Sequence, residues 1–113
     1  MSARSVKVVE QIVERGGEAD DVLRTSVAAL VDPPGVDWVG IAFVEDGELR
    51  LGPFAGVADD TRRKRVPIEF QGAPVAELQI DGEIEREDLD RIATLIAPYA
   101  LIGWDTGGEK WDP

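Results

Sequence analysis

The chain has 113 residues, 23 of them acidic and 12 basic, for a net charge of −11, and it contains neither cysteine nor histidine. That length makes one domain able to bury roughly two-thirds of its unfolded surface, and the composition removes disulfides, thiolate ligands, thiol nucleophiles and imidazole bases. The charge argues against nucleic acid and anionic membranes, which need clustered cations. With no apolar run near ~20 residues and no signal-peptide pattern at the start, a cytoplasmic protein without membrane contact, metal or cofactor is expected.

Val6, Val9, Ile12 and Val13 recur at helical spacing and predict a first helix over residues 5–15, stopped by Gly16-Gly17. Asp20 or Asp21 can N-cap a second helix that runs to about residue 31, with Leu23, Val27, Leu30 and Val31 as its apolar stripe. Asp32-Pro33-Pro34-Gly35 ends it, because proline forbids continuation.

Residues 37–56 then read as a β-hairpin closed by Asp46-Gly47, a pair suited to the positive φ angles of a two-residue turn. That turn would set Val44 opposite Leu49, Ala42 opposite Leu51, Phe43 opposite Arg50 and Val39 opposite Phe54. One face then carries Trp38, Gly40, Ala42, Val44, Leu49 and Leu51, and the other Val39, Ile41, Phe43, Arg50 and Phe54. The first strand is apolar on both faces and belongs at the centre of a sheet; the second is mixed and suits an edge.

After a polar loop over residues 57–64, a second hairpin is predicted from Arg65-Val66-Pro67-Ile68-Glu69-Phe70 and Ala73-Pro74-Val75-Ala76-Glu77-Leu78-Gln79-Ile80. A strict two-residue turn at Gln71-Gly72 would put Val66 and Ile68 on the face of Glu77 rather than Leu78, so a longer turn or a bulge is expected. Ile84 can staple to Leu89 at the start of a last helix, with Glu87 and Asp88 in its first turn. Its stripe is Leu89, Ile92, Ala93, Ile96, Tyr99 and Ala100, with Pro98 disturbing the last turns and Gly103 as the stop. Residues 104–113 form a tail with Trp104 and Trp111, each followed by aspartate.

Asp-Trp-Val-Gly-Ile at residues 37–41, followed by Asp-Gly-Glu-Leu-Arg-Leu-Gly-Pro-Phe-Ala-Gly at 46–56, resembles the opening hairpin of GAF domains of the free methionine-R-sulfoxide reductase type. Val75-Ala76-Glu77-Leu78-Gln79-Ile80-Asp81 and the segment from Glu87 to Ile96 resemble the family's last strand and closing helix, and the likeness spans residues 22–97. It implies an α+β fold: a four-stranded antiparallel sheet in the order 2-1-4-3 with three helices on one face, formed by residues 1–103, ahead of the tail. A profilin-like or roadblock-like arrangement is the structural alternative. The family carries a long excursion between the two hairpins that roofs a ligand pocket; here only residues 57–64 stand in its place. The family's reductases also use cysteines, one of which would fall near Asp60. Lacking any thiol, the chain is expected to be no enzyme, and its former pocket face is expected to lie open or covered by the tail or a partner.

Two functions from different classes follow. The first is a non-catalytic regulatory or protein-interaction domain, acting as a homodimer or partner subunit. Val6, Val9, Ile12, Val13 and Tyr99 would form a helical interface, and Trp104 and Trp111 would dock on the chain itself or on another. The alternative is a small-molecule sensor with a shallow site over Trp38, Gly40 and Ala42, where small residues leave room, bounded by Arg50, Arg62, Arg63 and Arg65. The same basic cluster has a plainer reading as a solvated loop that neutralises nearby carboxylates, and packing within the chain is the plainer reading of the helix stripe. Asp59 and Asp60 could offer hard oxygen ligands to a cation, but the spacing of a calcium loop is missing.

Overall fold

Both hairpins are closed by the turn chemistry their sequences carry. Asp46 and Gly47 have φ of 53° and 79°, and Gln71 and Gly72 have φ of 53° and 85°, the left-handed pairs that match the twist of flanking strands. The computed structural model describes residues 3–31 and 35–102. Its elements are α1 (Ala3–Arg15), α2 (Ala19–Leu30), β1 (Val36–Glu45), β2 (Glu48–Gly56), a single 3-10 turn (Asp60–Arg62), β3 (Arg63–Phe70), β4 (Ala73–Gly82) and α3 (Arg86–Ile102). The four strands form one antiparallel sheet in the order β2-β1-β4-β3. The apolar β1 is central and the mixed β2 is an edge, as their patterns require.

Each hairpin contains a bulge that shifts its phase. In the first, Val44 faces Leu49, Phe43 faces Arg50 and Ala42 faces Leu51, but the next pair is Gly40 with Phe54. Gly52 and Pro53 therefore oppose Ile41 alone. Proline offers no ladder N–H, and a side chain at Gly52 would come within 2.3 Å of the Phe43 ring. This corrects the expected pairing of Val39 with Phe54: Val39 faces Ala55, and Phe54 moves to the face of Trp38 and Ala42. In the second hairpin the two-residue turn is kept, Glu69 faces Pro74 and Ile68 faces Ala76, so Val75 is the extra residue. The bulge returns Val66 to the face of Leu78 and resolves the conflict between turn and alternation.

The helices cover one face only. Val39, Ile41, Phe43, Val66, Ile68, Ala76, Leu78 and Ile80 meet Leu23, Val27 and Leu30 of α2 and Leu89, Ile92 and Ile96 of α3 in one buried cluster. A fully buried side chain of this size contributes about 1.5–3 kcal/mol. α2 lies over β1 and β2, and α3 over β3 and β4. α2 begins at Ala19 after Glu18, without a side-chain cap, so Asp20 and Asp21 sit in the first turn and favour the positive helix end rather than capping it. The Glu85 carbonyl accepts from the amides of Asp88 and Leu89 at 3.0 Å each, which starts α3 just after Ile84.

α1 packs on α2 and α3. Val9 is 0% and Ile12 5% exposed, while Val6, Val13 and Tyr99 are half-buried against the same core. The Tyr99 hydroxyl donates to the Val13 carbonyl at 3.4 Å. Val9 and Ile12 are thus used inside the fold, where α1 covers the seam between α2 and α3. Trp104, Trp111 and the Asp32-Pro33-Pro34 stop lie outside the described residues. No helix among the described residues is long and apolar enough to cross a membrane.

Candidate functional site: the uncovered sheet face

The face turned away from the helices is built in rows. Arg63, Asp81, Trp38 and Gly56 form one row across the strands, Arg65, Gln79, Gly40 and Phe54 the next, and Pro67, Glu77, Ala42 and Leu51 the third. Val44 and Leu49 complete the β1–β2 side. The face is thus polar over β3 and β4 and apolar over β1 and β2.

Asp81 anchors the polar half. It is fully buried, and Arg63 grips it with Nε to Oδ1 at 2.6 Å and Nη2 to Oδ2 at 2.8 Å. The Asp59 amide donates to Oδ2 at 2.6 Å. The Arg63 hydrogen bonds hold the Asp81 carboxyl below the usual carboxylate range, with the Asp59 amide adding to the effect and burial opposing it. The same contact pushes Arg63 up. The guanidinium also lies 4.4 Å from the centre of the Trp38 ring, a cation–π contact worth about 1 kcal/mol or more when desolvated. Farther along, Gln79 donates to Glu77 at 2.7 Å, and Arg65 sits 3.8 Å from the same carboxylate.

Trp38 explains its neighbour. A side chain at Gly40 would come within 2.4 Å of the indole, so the ring lies flat across Gly40. The room expected above Gly40 is filled by Trp38 itself. Phe54 stands beside the indole, with ring centroids 6.3 Å apart.

An open groove of about 410 Å3 runs over this arrangement, lined by Trp38, Ala42, Leu49, Leu51, Phe54, Ala58, Arg63 and Gln79. Trp38 and Ala42 on the central strand form its floor. Leu49, Leu51 and Phe54 on β2 form one side, and Gln79 and Arg63 the other. Among the described residues the exposed large hydrophobic side chains are Val44, Leu49, Leu51, Phe54 and Val57, and all belong to the first hairpin or the residue after it. Phe54, at the edge of the groove, is 57% exposed.

The residues predicted from the sequence divide. Trp38, Gly40, Ala42, Arg63 and Arg65 share the face. Arg50 faces Phe43, on the helix side, and pairs with Glu45 at 3.2 Å. Arg62 turns to the sheet's end, donating to Asp37 at 2.6 Å and to the Gly35 carbonyl at 3.4 Å. Asp59 is occupied by the Thr61 hydroxyl at 2.6 Å, and among the described residues no three acidic side chains gather as a metal site would need. Asp81 and the β2 hydrophobics were missed as site residues. Asp81 looked like the end of a strand, and Phe54 reaches the face only through the bulge.

No family model and no curated protein match the chain. Solved structures do. The fRMsr of Staphylococcus aureus in complex with substrate superposes with a TM-score of 0.68 at 19% identity, over 87% of this chain and 94% of that one. The type II free methionine-R-sulfoxide reductase of Thermoplasma acidophilum gives 0.63 at 22% identity, over 80% and 95%. The GAF domain of an Acinetobacter phosphoenolpyruvate-protein phosphotransferase gives 0.62 at 9%, over 97% and 100%. The expectation that the chain is no enzyme is withdrawn on this finding: two of the three proteins are reductases, so the scaffold is one on which catalysis is carried out. Absence of cysteine removes thiol chemistry from this chain, not catalysis at large. At these identities the likeness carries the fold: the chain has the GAF-like fold shared by free methionine-R-sulfoxide reductases and a phosphotransferase GAF domain.

Proposed function

We infer that this is a regulatory, protein-interaction domain of GAF-like architecture that works through the uncovered face of its sheet. The observation that carries the reading is that three exposed large hydrophobics, Leu49, Leu51 and Phe54, line one groove over Trp38 and Ala42. A monomer leaves such a patch exposed when something binds there. The buried Asp81–Arg63 pair keeps the floor rigid by fixing Trp38 in place. Light scattering after size exclusion, together with partner pull-down, compares the wild type with a Leu51→Ser/Phe54→Ser variant. A specific assembly present in the wild type and lost in a folded variant is expected. A strict monomer at high concentration, with no partner retained by either form, overturns the reading.

A second reading is a small-molecule sensor at the same groove. Its volume of about 410 Å3 falls among ligand pockets of ~300–1,000 Å3, and a protein of the same fold was solved with substrate bound. Thermal shift against nucleotides and metabolites separates the two, since a ligand at 100 times its dissociation constant adds about 2.7 kcal/mol.

A further inference from the structure

We propose that Asp46 is a site of spontaneous covalent modification: its carboxyl closes on the Gly47 amide to a succinimide that reopens largely as isoaspartate, altering the hairpin tip next to Leu49. This stands whatever the groove binds.

The chain holds two Asp-Gly pairs, at residues 46–47 and 81–82. A glycine amide is the one a preceding aspartate reaches most readily, because no Cβ stands in the way. The Gly47 nitrogen attacks Cγ of Asp46 and forms an N–C bond. The nitrogen gives up its proton and the carboxyl its hydroxyl, which leave as one water. A second water then opens the ring. Cleavage of the bond to Cγ returns aspartate, whereas cleavage of the bond to the former backbone carbonyl leaves the chain running through Cβ, as isoaspartate. Water is the sole co-reactant, and the mass of the chain is unchanged.

The structure opens one pair to this chemistry and closes the other. Asp46, Gly47 and Glu48 are all exposed, and a side chain added at Gly47 would meet nothing within 4 Å. In a two-residue turn the strands close through the flanking pair, here Glu45 with Glu48, so the Gly47 amide stays off the ladder. A tip with so little packed around it opens locally at small cost, which gives the carboxyl the rotation that the attack needs. Asp81 is 0% exposed, and three donors from Arg63 and Asp59 hold both its oxygens. Its neighbour Gly82 packs against Gly35 and Val36. The same donors keep the Asp81 carboxyl ionised, the form that is the poorer electrophile. The second hairpin offers a further comparison: Gln71 has the same φ of 53° ahead of Gly72, but its extra methylene would make a six-membered ring, which closes more slowly. The product matters because isoaspartate adds a backbone carbon to a turn of only two residues. That loosens the pairing of Val44 with Leu49, which lines the groove.

The test ages the full chain at neutral pH and physiological temperature, folded in buffer and unfolded in urea. Isoaspartate is mapped by isoaspartyl methyltransferase labelling and by electron-transfer fragmentation of peptides. In the folded protein, isomerisation at Asp46 is expected to exceed that at Asp81 by at least about tenfold, since the tip opens alone and Asp81 only with the sheet. In urea the two sites should proceed at similar rates, which ties the difference to the fold. Asp46→Asn should reach the same ring faster, by losing ammonia, and Asp46→Ser should yield no isoaspartate at this position. In the aged fraction, amide NMR shifts should be confined to the hairpin tip around Val44 and Leu49. The proposal is overturned by a folded chain that forms no isoaspartate at Asp46, or by equal amounts at Asp46 and Asp81. It is overturned as well by an Asp81 that stays silent in urea, or by an isomerised fraction whose hairpin spectrum matches that of the fresh protein.

Discussion

Arg63 and Asp81 sit directly opposite each other on neighbouring strands, and the guanidinium closes on the carboxylate through two hydrogen bonds of 2.6 and 2.8 Å. The aspartate has no contact with solvent. Removing one partner of such a pair leaves the other charge uncompensated. Asp81→Asn should cost about 3 kcal/mol, read as a lower urea midpoint at unchanged slope. Arg63→Lys should cost less but still a measurable amount, because an ammonium cannot bridge both oxygens in one plane.

The same pair sets part of the acid response. The Asp81 carboxyl is held below its ordinary range in the folded protein, so the unfolded chain binds its proton first as pH drops. Its contribution is therefore fully present above about pH 4, where the unfolded group ionises, and is lost as pH falls through the depressed folded value. Urea titrations between pH 6 and 2.5, round figures spanning that carboxylate range, should show a stability loss on acidification that is shallower in Asp81→Asn.

Gly40→Ala tests whether the indole lies where the structure puts it. The new methyl carbon would stand 2.4 Å from Trp38, so the ring must lift off the strand and disturb its contact with Arg63. A loss of about 1–3 kcal/mol is expected, as for other overpacked sites, with a shift of the Trp38 indole N–H resonance. A silent substitution would mean that the ring already stands elsewhere.

Ile12→Ala separates packing from association. With Ile12 5% exposed inside the fold, the substitution should cost about 2–4 kcal/mol in unfolding experiments. The hydrodynamic size of the folded protein should stay the same.

The architecture was legible because it is written in local chemistry. Asp46-Gly47 dictated a tight turn, and the double-sided apolarity of Val39, Ile41, Phe43, Ala42 and Val44 dictated a central strand. The site was less legible. The phase of β2 depends on two residues, Gly52 and Pro53, opposing one, and alternation alone cannot register such a slip. Phe54 was therefore assigned to the wrong face. Asp81 was passed over because its partner lies 18 positions away and only pairing of β3 with β4 brings them together. Arg50 was placed near the groove by its charge, although its own register with Phe43 turns it to the other side.

The interruption at Gly52-Pro53 bears on solubility as well. Among the described residues the sheet ends in two margins, β2 and β3, and β2 carries the greasiest exposed side chains. A neighbouring strand seeking to extend the sheet would meet a missing donor at Pro53 and a change of phase on either side of it, and on the far margin it would meet Pro67. The molecule can thus present a sticky surface broadside while remaining a poor template for fibril growth along its rims.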